Sequence, residues 1–117
     1  MNDMEAELTV AENYLSEMLA ADHADDYEAF IKRFDPDDLE GFNAEVFHND
    51  VRLMRDDLGA YKTRDYLGAL KGFIDDKHPE SVRFVWRATY EKNQALIIVG
   101  IHKINGVWYV NESTVSK

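Results

Sequence analysis

The 117-residue chain has no cysteine, only two prolines and six glycines, and no long uninterrupted apolar run. Without cysteine the chain forms no disulfides, thiolate metal sites or thiol nucleophiles, which fits a reducing cytoplasm. The first five residues are acidic where a signal peptide would be basic, and no apolar stretch of about 18 residues is present to span a membrane. We therefore expect a cytoplasmic protein that is neither exported nor inserted in a membrane.

Basic residues are also scarce. The chain has 13 Lys and Arg against 23 Asp and Glu, a formal net charge of −10. This charge repels phosphate backbones and anionic lipid surfaces, so neither nucleic acid nor a membrane is an expected partner. A chain of this length is enough for one domain with a single modest core.

Apolar residues recur at helical spacing throughout the first half. Asp35 is placed to cap a helix, Pro36 suits its first position, and Gly59 supplies a natural stop. The predicted helices span about 4–21, 25–34 and 36–58.

The last third reads as three antiparallel strands, with Asn105-Gly106 as a strong hairpin signal. Residues 60–74 are ambiguous: the apolar pattern fits a helix, but Gly68 and Gly72 would each cost a helix about 1 kcal/mol, so we favour a bent strand. We expect an α+β fold with N-terminal helices on the concave face of a strongly curved, cone-shaped antiparallel sheet of about four strands. The predicted strands span about 62–73, 82–91, 94–104 and 107–115.

Glu112 is the candidate acid or base. If Lys92-Asn93 and Asn105-Gly106 are both two-residue turns, Val99 lies opposite both Trp86 and Glu112, on the face that the helices cover. Burial there would raise the pKa of the Glu112 carboxyl into the range of a general acid or base. In the alternative, which we favour, Glu112 reaches water or pairs with a lysine or arginine.

Three aromatic residues, Tyr14, Trp86 and Trp108, are candidates for a ligand-binding wall. Aromatic walls with a few polar groups are typical of small-molecule sites, so these side chains could stack on a flat ligand together with Glu112. The alternative, that they serve the core alone, has more weight because so small a domain needs its aromatic residues for stability.

The other face of the sheet mixes apolar and polar residues, which is typical of a partner surface. We predict a homodimer through this outer face, with Arg83, Arg87, His102 and Tyr109 in the interface. An anion site at Arg83, His102 and Tyr109 is the alternative.

No metal or cofactor site is expected. His48 and Asp50 lie two apart on a predicted helix and so diverge around its axis. His23 with Asp25 and Asp26 reads as a solvated helix start. The pairs Asp56-Asp57 and Asp75-Asp76 lack calcium-loop spacing and read as surface.

The order of elements resembles the nuclear-transport-factor-2-like superfamily, the cystatin-like α+β cone that includes the SnoaL-like proteins. The resemblance rests on the segment Leu58–Thr63 before the sheet and on the final strand from Gly106 to Glu112. It implies a conical pocket and dimers formed through the outer face of the sheet. Enzymes of that superfamily typically carry an Asp-His or Asp-Tyr constellation, which does not map onto this chain residue by residue.

Two functions remain open. We favour a non-catalytic dimeric module that binds a small apolar or aromatic ligand in its cone, or a partner protein on its outer surface. The alternative is a cofactor-independent isomerase or hydratase with Glu112 as acid or base and Tyr14 or Trp108 as an orienting donor.

Overall fold

The computed structural model describes residues 4–117 and places three α-helices before an antiparallel sheet. The predicted α+β class and the four-strand sheet after the helices are confirmed. Neighbouring strands pair in the order β1-β2-β3-β4, and the sheet is not closed. The elements are α1 (Glu5–Ala24), α2 (Tyr27–Ile31), a 3₁₀ helix (Pro36–Leu39), α3 (Ala44–Leu58), β1 (Tyr61–Lys71), β2 (Val82–Tyr90), β3 (Gln94–Ile104) and β4 (Val107–Ser116).

Helix α1 crosses the sheet with a continuous apolar stripe that includes Ala11, Leu15 and Met18, all buried. It continues beyond its predicted end near residue 21, to Ala24. Asp25 ends the helix in the left-handed conformation with φ of 55°, which Asp tolerates better than most residues. The amide of Asp26 then donates to the carbonyl of Ala21, a closure that satisfies a free helix-end carbonyl.

The predicted single helix over 36–58 is wrong. The chain forms only a short 3₁₀ helix capped by Asp35, whose side chain accepts from the amide of Asp37, and then turns at Gly41 with φ of 79°. Asn43 begins a separate helix α3 by accepting from the amide of Val46 at 3.0 Å. The apolar spacing on the two sides of Gly41 therefore belongs to two elements.

The ambiguous segment 60–74 forms strand β1, and it is bent. The β1–β2 register shifts between Tyr61 and Thr63 and again between Tyr66 and Gly68. Gly68 has φ of 155°, a conformation that side chains rarely adopt. Two irregularities within eleven residues curve the edge of the sheet around α1.

The β2–β3 hairpin turns one residue earlier than predicted. The amide of Tyr90 donates to the carbonyl of Asn93, so the turn is Glu91-Lys92, and Trp86 pairs with Ile97 instead of Val99. A register change of two residues leaves every side chain on its predicted face, because strand side chains alternate with period two.

Beyond Val110, the register of strand β4 differs from the predicted one, and Glu112 lies on the opposite face of the sheet from the one predicted. The hairpin at Asn105-Gly106 gives the expected pairing of Ile101 with Val110, but a β-bulge follows, and Gly100 pairs with Glu112. The predicted pairing of Val99 with Glu112 is therefore wrong, since Val99 pairs with Ser113. A shift of one residue moves a side chain to the other face.

The core lies between α1 and the concave face of β2 and β3. The fully buried large apolar side chains are Leu15, Phe47, Phe84, Trp86, Ile97, Val99, Ile101 and Val110.

No helix among residues 4–117 has the length and hydrophobicity needed to cross a bilayer.

Candidate functional site

A groove of about 610 Å³ opens between α3 and the outer edge of β4. Val110 pairs with the chain at Arg33 to Asp35, and beyond it residues 111–115 of β4 and the following Lys117 line this groove. A cavity of this size with apolar walls is suited to a small organic molecule.

The floor of the groove is a cluster of aromatic rings from three elements. Phe30 of α2 lies 5.0 Å from Phe47 of α3 and 5.4 Å from Phe34, measured between ring centroids. Phe42, from the turn before α3, lies 5.9 Å from Phe30. Asp26 caps the start of α2 and Asn43 caps the start of α3, so the chain changes direction on both sides of the segment that carries Phe34 and Phe42.

The groove is acidic. Its lining includes five carboxylates and a single ammonium group. Three of the carboxylates are paired: Asp57 with Lys117 at 2.6 Å, Glu112 with Arg83 at 2.7 Å and Asp38 with His78 at 2.8 Å. The five are Asp22, Asp38, Asp50, Asp57 and Glu112.

Asp22 is the most perturbed of these acids. Burial raises the pKa of its carboxyl from 3.8 to about 7, and the positive charge of Arg55 opposes that rise only in part. Asp22 also lines a smaller cavity of about 340 Å³ together with Tyr90. The Tyr90 hydroxyl is buried without a hydrogen-bond partner among residues 4–117. Its burial, and to a smaller extent the negative charge of Asp22, raises the pKa of Tyr90 to about 12. The lining of this cavity thus combines a carboxyl group with a pKa near 7 and a phenol hydroxyl that makes no hydrogen bond to residues 4–117.

A polar cluster adjoins the groove on the convex side, beneath the 3₁₀ helix and the loop between β1 and β2, and shares Asp38 and Asn111 with the groove lining. Its centre is His102, which is fully buried. The Nε2 atom of His102 lies 2.8 Å from Oδ2 of Asp35, and its Nδ1 atom lies 2.9 Å from Nδ2 of Asn111. If the Asn111 amide donates to Nδ1, then Nε2 carries the proton and donates to Asp35.

His78 completes the cluster from the β1–β2 loop. Its Nε2 atom lies 2.8 Å from Oδ1 of Asp38, and its Nδ1 atom lies 2.9 Å from Oδ1 of Asp75. Burial works to lower the pKa of His78, but the hydrogen bonds to Asp38 and Asp75 outweigh it, so the pKa of His78 rises above its usual value. The His78 and His102 rings meet edge to face at 5.1 Å.

Glu112 does not sit among the apolar core residues as its predicted register implied. The bulge turns its carboxylate to Arg83, which donates through Nε at 2.7 Å and through a terminal nitrogen at 3.2 Å. This pairing with an arginine is the alternative that the sequence left open.

The three aromatic candidates lie outside the large groove. Trp86 is fully buried in the core, and its indole donates to Glu12 at 3.2 Å. Tyr14 donates from its hydroxyl to the carbonyl of Trp108 at 3.1 Å, which ties α1 to β4. Whether they contact a ligand remains a prediction.

Of the four predicted interface residues, three keep some solvent-exposed surface and one, His102, is fully buried. Arg87 is exposed and pairs with Asp65 at 3.0 Å, while Arg83 is half-buried beside Glu112. Tyr109 lies opposite His102 as expected, with its ring half-buried. Full burial of His102 removes it from any exposed surface, so its interface assignment is corrected.

The pairing of Asp38 with His78 was not predicted, and Asp75-Asp76, next to His78 in the same loop, was predicted to be ordinary surface. The local signal was weak, because the partners come from three separate segments. Asp35 was recognised only as a cap, yet one of its oxygens caps the 3₁₀ helix while the other holds His102.

No protein-family model matches the chain, and no curated protein matches it. Among the solved structures that do match is the solution structure of a SEC-C motif containing protein from Rhodopseudomonas palustris. The TM-score is 0.54 and the sequence identity 16%, over 84% of this chain and 72% of that chain. At this identity the likeness concerns the fold alone.

This match corrects the resemblance drawn from the sequence. The structural similarity is to a SEC-C motif containing protein, and no family model or curated protein supports the nuclear-transport-factor-2-like, SnoaL-like or cystatin-like assignment. The order of helices and strands was a sound guide to fold class but not to the family.

Proposed function

We propose that the chain is a non-catalytic binding module whose groove between α3 and β4 takes a small molecule with an apolar or aromatic body and a positively charged group. The observation that carries this proposal is the combination of an aromatic floor with an acidic lining in one cavity of about 610 Å³. Apolar walls supply most of the binding free energy in such sites, and a few polar groups fix the orientation.

The charge of the groove selects the ligand's polar group. Lys117 and Arg83 neutralise two of the five lining carboxylates, and Asp38 contacts His78. Asp22 and Asp50 have no such ion pair among residues 4–117. An ammonium group placed near Asp22 would stabilise its ionised form and recover part of the cost of burying that carboxylate.

The proposal places the protein in the cytoplasm, in keeping with its lack of cysteine. It includes a homodimer formed through the convex face of the sheet, which leaves the groove accessible at the β4 edge. Neither nucleic acid nor a membrane is part of it, because the net charge is −10.

The test is an NMR titration of the labelled protein with 2-phenylethylamine and, as the matched anion, 3-phenylpropionate. We expect the amine to shift backbone amides of Phe42, Leu53 and residues 111–115, and to bind at least tenfold more tightly than the acid. Equal affinity for the two compounds, or shifts confined to another surface, would contradict the proposal.

A pair of variants on one helix sharpens the result. Leu53 lines the groove and is 55% exposed, so Leu53→Arg should abolish binding of the amine through bulk and charge. Val46, also exposed on α3, is not part of the groove lining, and Val46→Arg should leave binding unchanged.

Asp22 favours a second candidate, a cofactor-independent isomerase. A carboxyl with a pKa of about 7 beside an open cavity has the proton affinity of a general base at neutral pH. In this candidate Asp22 takes the role first considered for Glu112, and Tyr90 is the orienting donor. Its test is proton exchange next to the carbonyl of a ketone in D₂O, which Asp22→Asn should abolish.

A further inference from the structure

Two histidines and a carboxylate converge in the cluster on the convex side. One potential ligand atom from each of Asp38, His78 and His102 lies within 4.8 Å of the others. We propose that these three side chains bind a divalent transition-metal ion of the Zn²⁺ type. Two imidazoles and one carboxylate are a donor set that such ions accept, and three protein ligands leave one position open for water.

The cluster contains acceptor capacity that its hydrogen bonds leave unused. The Asp38 side chain is only 10% exposed, and its Oδ2 atom is buried without a partner while Oδ1 contacts His78. Among residues 4–117 the Oδ1 atom of Asn111 is likewise buried and unpartnered, while Nδ2 of the same amide lies 2.9 Å from Nδ1 of His102. An unsatisfied buried acceptor is costly, and a cation bound by the three side chains would satisfy Oδ2 of Asp38.

Both rings already have outer partners of the kind found in metal sites. A metal-binding histidine usually donates its other ring nitrogen to a carboxylate or carbonyl, which fixes the ring. Asp75 holds His78 at Nδ1, so Nε2 is the free ligand atom once Asp38 turns to the ion. For His102, Asp35 accepts from Nε2 and would hold the ring while Nδ1 binds the ion in place of the Asn111 amide, which now donates to that atom.

Charge also favours a cation here. The cluster gathers three carboxylates, Asp35, Asp38 and Asp75, around two imidazoles. Lys77 pairs with one of them, its Nζ atom lying 3.7 Å from Oδ1 of Asp38. Because Lys77 is half exposed, it neutralises that charge weakly, and a divalent ion would do so within the cluster.

The first experiment uses the wild-type chain, freed of metal with a chelator and titrated with Zn²⁺ by calorimetry. We expect one ion per chain and a rise in melting temperature, because a ligand that binds only the folded state stabilises it. In the NMR spectrum of the imidazole nitrogens, His78 and His102 should shift while His23 and His48 stay in place. Absence of binding, or shifts confined to His23 and His48, would overturn the proposal.

Variants separate the site from adventitious binding. His78→Gln and Asp38→Asn should each weaken Zn²⁺ binding at least tenfold. The control is His48→Gln: His48 is exposed and pairs with a carboxylate, Asp25, at 2.6 Å, outside the cluster, so its loss should leave binding unchanged. Equal losses in all three variants would show surface binding only and contradict the proposal. If a variant fails to fold, the wild-type imidazole spectrum decides.

Discussion

At the scale of one residue, the carboxyl group of Asp22 makes the stability of the fold depend on pH. The folded chain keeps this proton up to a pKa of about 7, whereas the unfolded chain loses it near 3.8, so the free energy of unfolding falls as pH rises through that window. The full difference is at most about 4 kcal/mol, an upper limit because Asp22 keeps part of its surface in solvent.

Asp22→Asn removes this dependence. The stability advantage of the variant over the wild type should grow by about 2 kcal/mol between pH 5.5 and pH 8. Urea unfolding at the two pH values measures it. Asp50→Asn, at an exposed carboxylate of the same groove, is the control and should show the smaller change. An advantage for Asp22→Asn that is identical at both pH values would contradict the burial of its charge.

At the scale of one element, Gly100 determines on which face of the sheet the β4 side chains beyond Val110 lie. A Cβ added there would lie 2.4 Å from Oδ1 of Asn111 and 3.1 Å from Cβ of Glu112. The bulge in β4 therefore depends on the missing side chain. Through it, Glu112 reaches Arg83 and Asn111 reaches His102.

Gly100→Ala should lower the free energy of unfolding by about 2 kcal/mol, the usual scale of overpacking. Urea unfolding is the measurement, and the double variant Gly100→Ala/Asn111→Ala should recover part of the loss because the nearest contact is gone. If Gly100→Ala proves as stable as the wild type, the bulge does not need this glycine.

The strands also show how far local patterns predict this fold. Asn105-Gly106 predicted the hairpin and the pairing of Ile101 with Val110, because a two-residue turn sets the register of adjacent residues. The prediction failed after Gly100, since a bulge is a property of two strands together. The helical pattern failed at Gly41 for a similar reason: apolar spacing does not distinguish one helix from two that share a core.

The candidate sites lie beyond local patterns altogether. The groove takes its rings from α2, α3 and the turn between them, and the histidine cluster joins residues 35–38 with His78 and His102. Each segment is ordinary by itself. Residues so distant in sequence come together only through the parallel contact of Phe34 with Val110 and the return of the β1–β2 loop, neither of which has a sequence signature.

At the scale of the whole molecule, the convex face of the sheet is the surface proposed to form the homodimer. Leu70 and Leu96 on this face are 40% and 45% exposed, beside Arg83 and Arg87. A stable dimer buries about 800 Å² per partner, and a four-strand sheet can offer that area. Because each copy carries a net charge of −10, association must overcome repulsion that salt screens.

We therefore expect analytical ultracentrifugation to show a dimer whose association strengthens with ionic strength. Leu96→Glu adds a charge to the proposed contact face and should give a monomer with the circular dichroism of the wild type. Val46→Glu on α3, away from the sheet, adds the same charge and should remain a dimer. A wild-type chain that sediments as a monomer at the concentrations used for NMR would rule the interface out, and the exposed leucines would then be ordinary surface residues.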